Sequence, residues 1–118
     1  MPAGQSGKKT ILITAGPTIE PIDPVRYISN YSTGMMGYEI AKAAKKRGYK
    51  VVLVSGPVLL KVPKGIKCVS VGTASEMRKA VFKFFKSADC VIMAAAVSDF
   101  QPVSFSEKKI KKSAKKEI

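Results

Sequence analysis

Residues 11–37 read ILITAGPTIEPIDPVRYISNYSTGMMG, from Ile11 to Gly37. An apolar run ends in Gly16-Pro17, a loop bearing Pro21, Asp23, Pro24 and Asn30 follows, and Ser32-Thr33-Gly34 opens a helical pattern. Strand, polar loop and helix start in that order set backbone amides and small polar side chains at a sheet edge, where a phosphate or carboxylate binds. AAAVSDF, from Ala94 to Phe100, repeats the strand-into-polar-loop design. KIKK, from Lys109 to Lys112, concentrates positive charge. Together the three segments point to nucleotide chemistry.

Working outward, Lys9–Ala15 (KTILITA) reads as a buried strand closed by Gly16-Pro17. Residues 16–33 read as one long loop, a length that in compact domains is usually functional. From Gly34 to Gly48 the spacing is helical, with Met36, Ile40, Ala43 and Ala44 on one face and Gly48 as the stop. Further strands are expected at Lys50–Ser55, Lys67–Val71 and Asp89–Ala95, the last apolar on both faces. Thr73 and Glu76 make a capping box for a second helix whose core face holds Met77, Ala80, Val81, Phe84 and Phe85. Non-alternating strands separated by helices indicate a parallel sheet covered on both sides, with right-handed crossovers. The expected fold class is α/β, a Rossmann-like doubly wound parallel sheet. The expected organisation is a flexible lead at 1–7, the sheet domain at 8–103 and a lysine-rich segment at 104–118. Four strands followed by a charged tail suggest part of a larger domain.

At 118 residues and 46% hydrophobic content the chain suits one globular domain. No apolar run reaches the roughly 20 residues of a membrane helix, and the N-terminus lacks a secretory apolar core, so a cytoplasmic location is expected. The net charge of +13 favours anionic partners, although solvated lysines alone would also produce it. There is no histidine, which removes histidine acid–base catalysis and most zinc sites. Cys68 and Cys90 lie in apolar runs without CxxC spacing and read as buried free thiols.

A dinucleotide site has little support: no GxGxxG follows the first strand, and no acidic residue for a ribose diol follows the second. The loop Ser29–Gly37 offers other chemistry. Asn30 has an amide that both donates and accepts, or is a turn residue. Ser32 and Thr33 cap the helix, either as plain N-caps or beside a bound anion. Gly34 and Gly37 permit close backbone approach. Asp99 stands past a strand end, where it contacts a base, ribose or metal, or caps a loop. Lys109, Lys111 and Lys112 neutralise a triphosphate, or form a solvated tail.

Taken in order, ITAGPTIEPIDPVRYISNYSTGMMG, VSGP, AAAVSDF and KIKK strongly resemble the phosphopantothenoylcysteine synthetases (phosphopantothenate–cysteine ligases), over about Lys8 to Lys112. The resemblance implies ligation of 4'-phosphopantothenate to L-cysteine in coenzyme A biosynthesis. CTP activates in the bacterial branch and ATP in eukaryotic relatives, with Mg²⁺ required. The substrate carboxylate attacks the α-phosphate, giving an acyl-nucleotide and pyrophosphate, and the cysteine amine then displaces the nucleoside monophosphate. Asn30 matches the asparagine linked to turnover of the intermediate. Lys109 matches the first lysine of KxKK, linked to its formation. The resemblance further implies nucleotide contacts at Gly16, Ser32, Thr33, Gly34, Met93, Ala94, Ala95, Asp99 and Lys109, and substrate contacts at Asn30, Ala95 and Ala96. It leaves the metal ligands unknown. Met35 stands where many bacterial members have lysine, removing one positive charge near the anion site. Family domains continue beyond KxKK, are homodimers, and in bacteria are often fused to a flavin-dependent decarboxylase.

Two other classes stand beside the ligase. A non-catalytic nucleotide or phosphopantothenate binder would show calorimetric binding without turnover. A nucleic-acid binder would lose affinity steeply with salt, but no aromatic pair is interleaved with the lysines for base stacking.

Overall fold

A computed structural model describes residues 8–97 of the chain. Its centre is β1 (Thr10–Ala15), flanked on one side by β4 (Lys50–Ser55) and on the other by β6 (Cys90–Met93). β5 (Lys67–Ser70) lies outside β4, so the sheet order is β5-β4-β1-β6, with every pairing parallel. A separate antiparallel hairpin joins β2 (Glu20–Pro21) and β3 (Tyr27–Ile28). Helices α1 (Met35–Lys46) and α2 (Ala74–Phe85) complete the set. This is the Rossmann-like α/β sheet expected from the sequence. Among the described residues no helix is long and apolar enough to cross a membrane.

Alternation along the two central strands divides the core into two layers. Ile13, Ala15, Val51 and Leu53 meet Tyr38, Ala41 and Ala44 of α1. Leu12, Val52 and Val54 point the other way, onto Met77 and Ala80 of α2. Both faces being covered explains why β1 and β4 read as unbroken apolar runs.

Tertiary packing changes several sequence expectations. The buried face of α1 is Gly37, Tyr38, Ala41 and Ala44, whereas Met36 and Ala43 are exposed and Ile40 is half-buried. The cause is Gly37. A Cβ there would overlap Ala15 Cβ and lie 3.0 Å from Ala15 Cα. The helix therefore turns its bare position toward the strand, which rotates Met36 outward. Gly48 does end the helix, with the Gly48 and Tyr49 amides bonding back to the Lys45 and Ala44 carbonyls.

The stretch 16–33 is not one loop, because it contains the β2–β3 hairpin. Asp23, 3% exposed, closes the turn. Its Oδ1 accepts from the Val25 and Arg26 amides at 2.9 and 2.8 Å, and its Oδ2 accepts from the Arg26 guanidinium. A carboxylate with that many local donors holds a turn that apolar periodicity does not signal.

The expectations for β6 and α2 are also corrected. Cys90 and Met93 are exposed, and so is Phe85. The described sheet gives β6 a neighbour only on its β1 side, and α2 covers β1 and β4 instead. Cys68 is half-buried, and desolvation raises its thiol pKa, keeping it protonated near neutrality.

The capping box is present as read. Thr73 Oγ1 accepts from the Glu76 amide at 3.1 Å, and Glu76 Oε1 accepts from the Thr73 and Gly72 amides at 3.0 and 2.7 Å. Those backbone bonds, Thr73 first, hold the Glu76 carboxyl below its ordinary pKa.

Two outcomes follow. Gly37→Ala should lose about 1–3 kcal/mol of unfolding free energy in urea melts, because overpacking against backbone outweighs the gain in helix propensity. Glu76 has a depressed folded pKa, so its contribution is present above the ordinary carboxylate range and lost as pH falls through the folded value. Thermal melts of Glu76→Gln across that acid range should therefore show a shallower decline than the parent chain.

Candidate functional site

In an open parallel sheet a crevice forms at the carboxyl edge where the strand order reverses. Here the chain passes from β1 outward through β4 and β5, then returns to β6 on the other side of β1. The switch point lies between the ends of β1 and β6, at Gly16 and residues 94–96. Most of the candidate residues gather around it.

Backbone bonds weld the two strand ends together. The Ala94 amide donates to Thr14 O at 3.1 Å and the Ala96 amide to Gly16 O at 2.9 Å. Pro17 and Ala96 form a further parallel bridge. Thr14 adds its side chain: the fully buried Oγ1 accepts from the Ala95 amide at 3.2 Å and lies 4.0 Å from Met93 Sδ. Sequence reading missed this role. The available signal was the Thr14 hydroxyl inside the otherwise apolar run from Ile11 to Ala15.

Asn30 reaches the same point from the hairpin. Its Nδ2 donates to Ala96 O at 3.0 Å, and its Oδ1 accepts from the Ser32 amide at 3.2 Å. The Thr18 amide donates to that same Ala96 carbonyl at 3.3 Å. The Ser29 hydroxyl donates to Thr18 O at 2.8 Å, closing the two ends of the hairpin segment on each other. Asn30 is itself exposed, so these bonds fix its carboxamide rather than burial.

Ser32 and Thr33 do not cap α1 as expected. The N-cap is Gly34, at φ 84°, with no side-chain capping bond. Ser32 Oγ accepts from the Gly34 amide and Thr33 Oγ1 from the Met35 amide, each at 3.3 Å and each two residues on. The hydroxyls shape the turn before the helix, because a left-handed residue at 34 separates them from the amides that a conventional cap would reach. Gly16 shares the left-handed conformation, at φ 82°, and its Cα would lie 3.4 Å from a Cβ at position 34. The start of α1 and the end of β1 are thus in backbone contact.

Beside this contact lies an open cavity of about 440 Å³, lined by Ser32, Thr33, Met35 and residues 57–60. Met35 presents a thioether to it, in keeping with the absence of a positive charge at this position. The site brings together Gly16, Asn30, Ser32, Thr33, Gly34, Met93, Ala94, Ala95 and Ala96. Asp99 and Lys109 lie outside the described residues. Among the described residues no group of three or more Cys, Asp or Glu side chains is placed to hold a metal ion.

The model of the DNA/pantothenate metabolism flavoprotein C-terminal domain matches residues 6–118. The coenzyme A biosynthesis bifunctional protein CoaBC of Vibrio parahaemolyticus is 52% identical over 106 residues, covering 90% of this chain and 27% of that protein. The chain thus spans about a quarter of the length of this relative. A crystal structure of the C-terminal domain of CoaBC superposes with a TM-score of 0.79 at 48% identity, covering 83% of this chain and half of that one. A Cab2 mutant in complex with phosphopantothenate-cysteine shares the fold, with a TM-score of 0.73 at 22% identity, covering 87% of this chain and 50% of that one. With residues 6–118 matched by its model, the chain belongs to the family of the DNA/pantothenate metabolism flavoprotein C-terminal domain.

Proposed function

We propose that this chain supplies the Asn30 side of a phosphopantothenate–cysteine ligase site, using CTP (or ATP) in coenzyme A biosynthesis. The observation that carries the reading is the 3.0 Å bond from Asn30 Nδ2 to Ala96 O, which fixes a carboxamide over the carboxyl ends of β1 and β6. The relatives' role in coenzyme A biosynthesis supports it.

In the first step the phosphopantothenate carboxylate attacks the α-phosphorus and pyrophosphate leaves. In the second the cysteine amine attacks the acyl carbon, loses a proton, and expels the nucleoside monophosphate. The first turn of α1 opens onto the cavity lined by Ser32 and Thr33, where the positive end of the helix favours an anionic ligand. Asn30 orients the activated carbonyl and stabilises its oxyanion, and Lys109 offsets charge developing at phosphorus. Mg²⁺ would be carried mainly by phosphate oxygens and water, since the described residues bring no carboxylate cluster to it. The reading includes a homodimer and, in the whole protein, a decarboxylase domain.

The test is pyrophosphate release and amide formation from phosphopantothenate, cysteine and Mg²⁺ with CTP or ATP. It is run on the chain and on the chain joined to the complementary portion of its Vibrio relative. Asn30→Ala should keep pyrophosphate release while slowing amide formation by on the order of 10²–10³, so that acyl-nucleotide accumulates. Lys109→Gln should block pyrophosphate release itself. Absence of turnover with either nucleotide, from both proteins, refutes the ligase reading. Unchanged rates in both variants refute the assigned roles.

A further inference from the structure

We propose that Glu20 is a positioning residue: its buried carboxylate clamps the β2–β3 hairpin to the first turn of α2 and so holds the Asn30 carboxamide on the Ala96 carbonyl. This deepens the ligase reading and rests on it for its consequence in turnover. Its structural half stands independently.

Glu20 is only 4% exposed, unusual for a carboxylate in a surface hairpin. Burying that group is costly unless donors meet it. The donor is distant in sequence: Glu20 Oε2 accepts from the Ala74 amide at 2.8 Å, across 54 positions. Beside it the Ile19 amide donates to Gly72 O at 2.7 Å. Ala74 is the first residue of α2, so the carboxylate sits at the positive end of a 12-residue helix.

The helix does not need Glu20 for its own cap. Thr73 and Glu76 already form a complete box and satisfy the amides of Gly72, Thr73 and Glu76. Glu20 takes an amide that the box does not reach, and so joins two elements rather than completing one. From Glu20 the connection to the site is short. Glu20 pairs with Ile28 in the hairpin, Ser29 bonds back to Thr18, and Thr18 and Asn30 both donate to Ala96 O. Asn30 is exposed and is held only by its hydrogen bonds, so its aim depends on where the hairpin is moored.

The experiment uses the ¹⁵N-labelled chain and reads water exchange of the Asn30 Nδ2 protons alongside the amides of β1 and β4. The variants are Glu20→Ala, Glu20→Gln and Ala74→Pro. Proline is well accommodated at the first position of a helix, so Ala74→Pro removes the donor while keeping α2. Exchange at Asn30 should rise about tenfold in Glu20→Ala and Ala74→Pro, with the β1 and β4 amides unchanged. Glu20→Gln, whose side-chain oxygen accepts the same bond, should restore the parent value. In the ligase assay kcat should follow that order, with the KM for nucleotide unchanged.

Asn30 exchange unmoved by Ala74→Pro overturns the proposal, as does Glu20→Gln behaving like Glu20→Ala. If Glu20→Ala fails to fold, the other two variants decide. Loosened Asn30 protons, with no amide formed by either the chain or its fusion to the Vibrio portion, would refute the ligase reading and leave the mooring intact. An active chain whose Asn30 ignores Ala74→Pro would refute the mooring alone.

Discussion

Everything at the carboxyl edge depends on α1 meeting β1 through glycines, which bring no side chain of their own to the contact. Gly37 rests on Ala15, and one turn earlier Gly34 meets Gly16. Any Cβ at position 37 would push the helix off the strand and carry the start of α1 away from the Gly16 turn. The contact also fixes the roll of the helix, placing Tyr38 where its hydroxyl pairs with Ser55 Oγ at 2.9 Å inside the core. The Tyr38 pKa is raised chiefly by that burial, so the phenol stays neutral and structural. One steric constraint therefore sets both the hydrophobic layer and the position of the donor groups facing the crevice.

The second determinant is topological. Reversal of strand order beside β1 leaves the ends of β1 and β6 adjacent, and backbone bonds between residues 16–18 and Ala96 carry that adjacency past both strand ends. The Ala96 carbonyl is the meeting point, accepting from Thr18 and from Asn30 at once. A residue on an exposed loop thereby acquires a fixed relation to a strand end. An amide held in place by such hydrogen bonds is preorganised toward the oxyanion of the proposed reaction.

The sequence made the sheet legible because β1 and β4 are covered on both faces, so their apolar runs are unbroken. Thr73 and Glu76 were legible because a capping box is a local code. The face of α1 was not: periodicity identifies a helix, but the choice between neighbouring stripes turned on the absent side chain of Gly37, a close approach to Ala15 that lies 22 positions away. The β2–β3 hairpin was hidden for a related reason. Its two-residue strands are too short for a pattern, and its turn is held by Asp23 on the Arg26 guanidinium and local amides. Asn30 could be singled out from its motif. Its partner Ala96, an apolar residue acting through its carbonyl, contributes through backbone chemistry that residue type does not encode.

The described site consists of groups that keep one protonation state near neutrality: backbone amides, carbonyls, hydroxyls and a carboxamide. The buried acids close to it are engaged elsewhere, Asp23 with Arg26 and Glu20 with the start of α2. A site arranged in this way can orient and polarise a substrate, and its described residues include no histidine to shuttle protons at neutral pH. Phosphoryl activation of a carboxylate followed by aminolysis makes modest demands on such a shuttle. The leaving groups depart as anions, and the proton lost from the amine can pass to solvent or phosphate. Fixed dipoles of this kind suit the proposed acyl-nucleotide chemistry, which is governed by charge on oxygen.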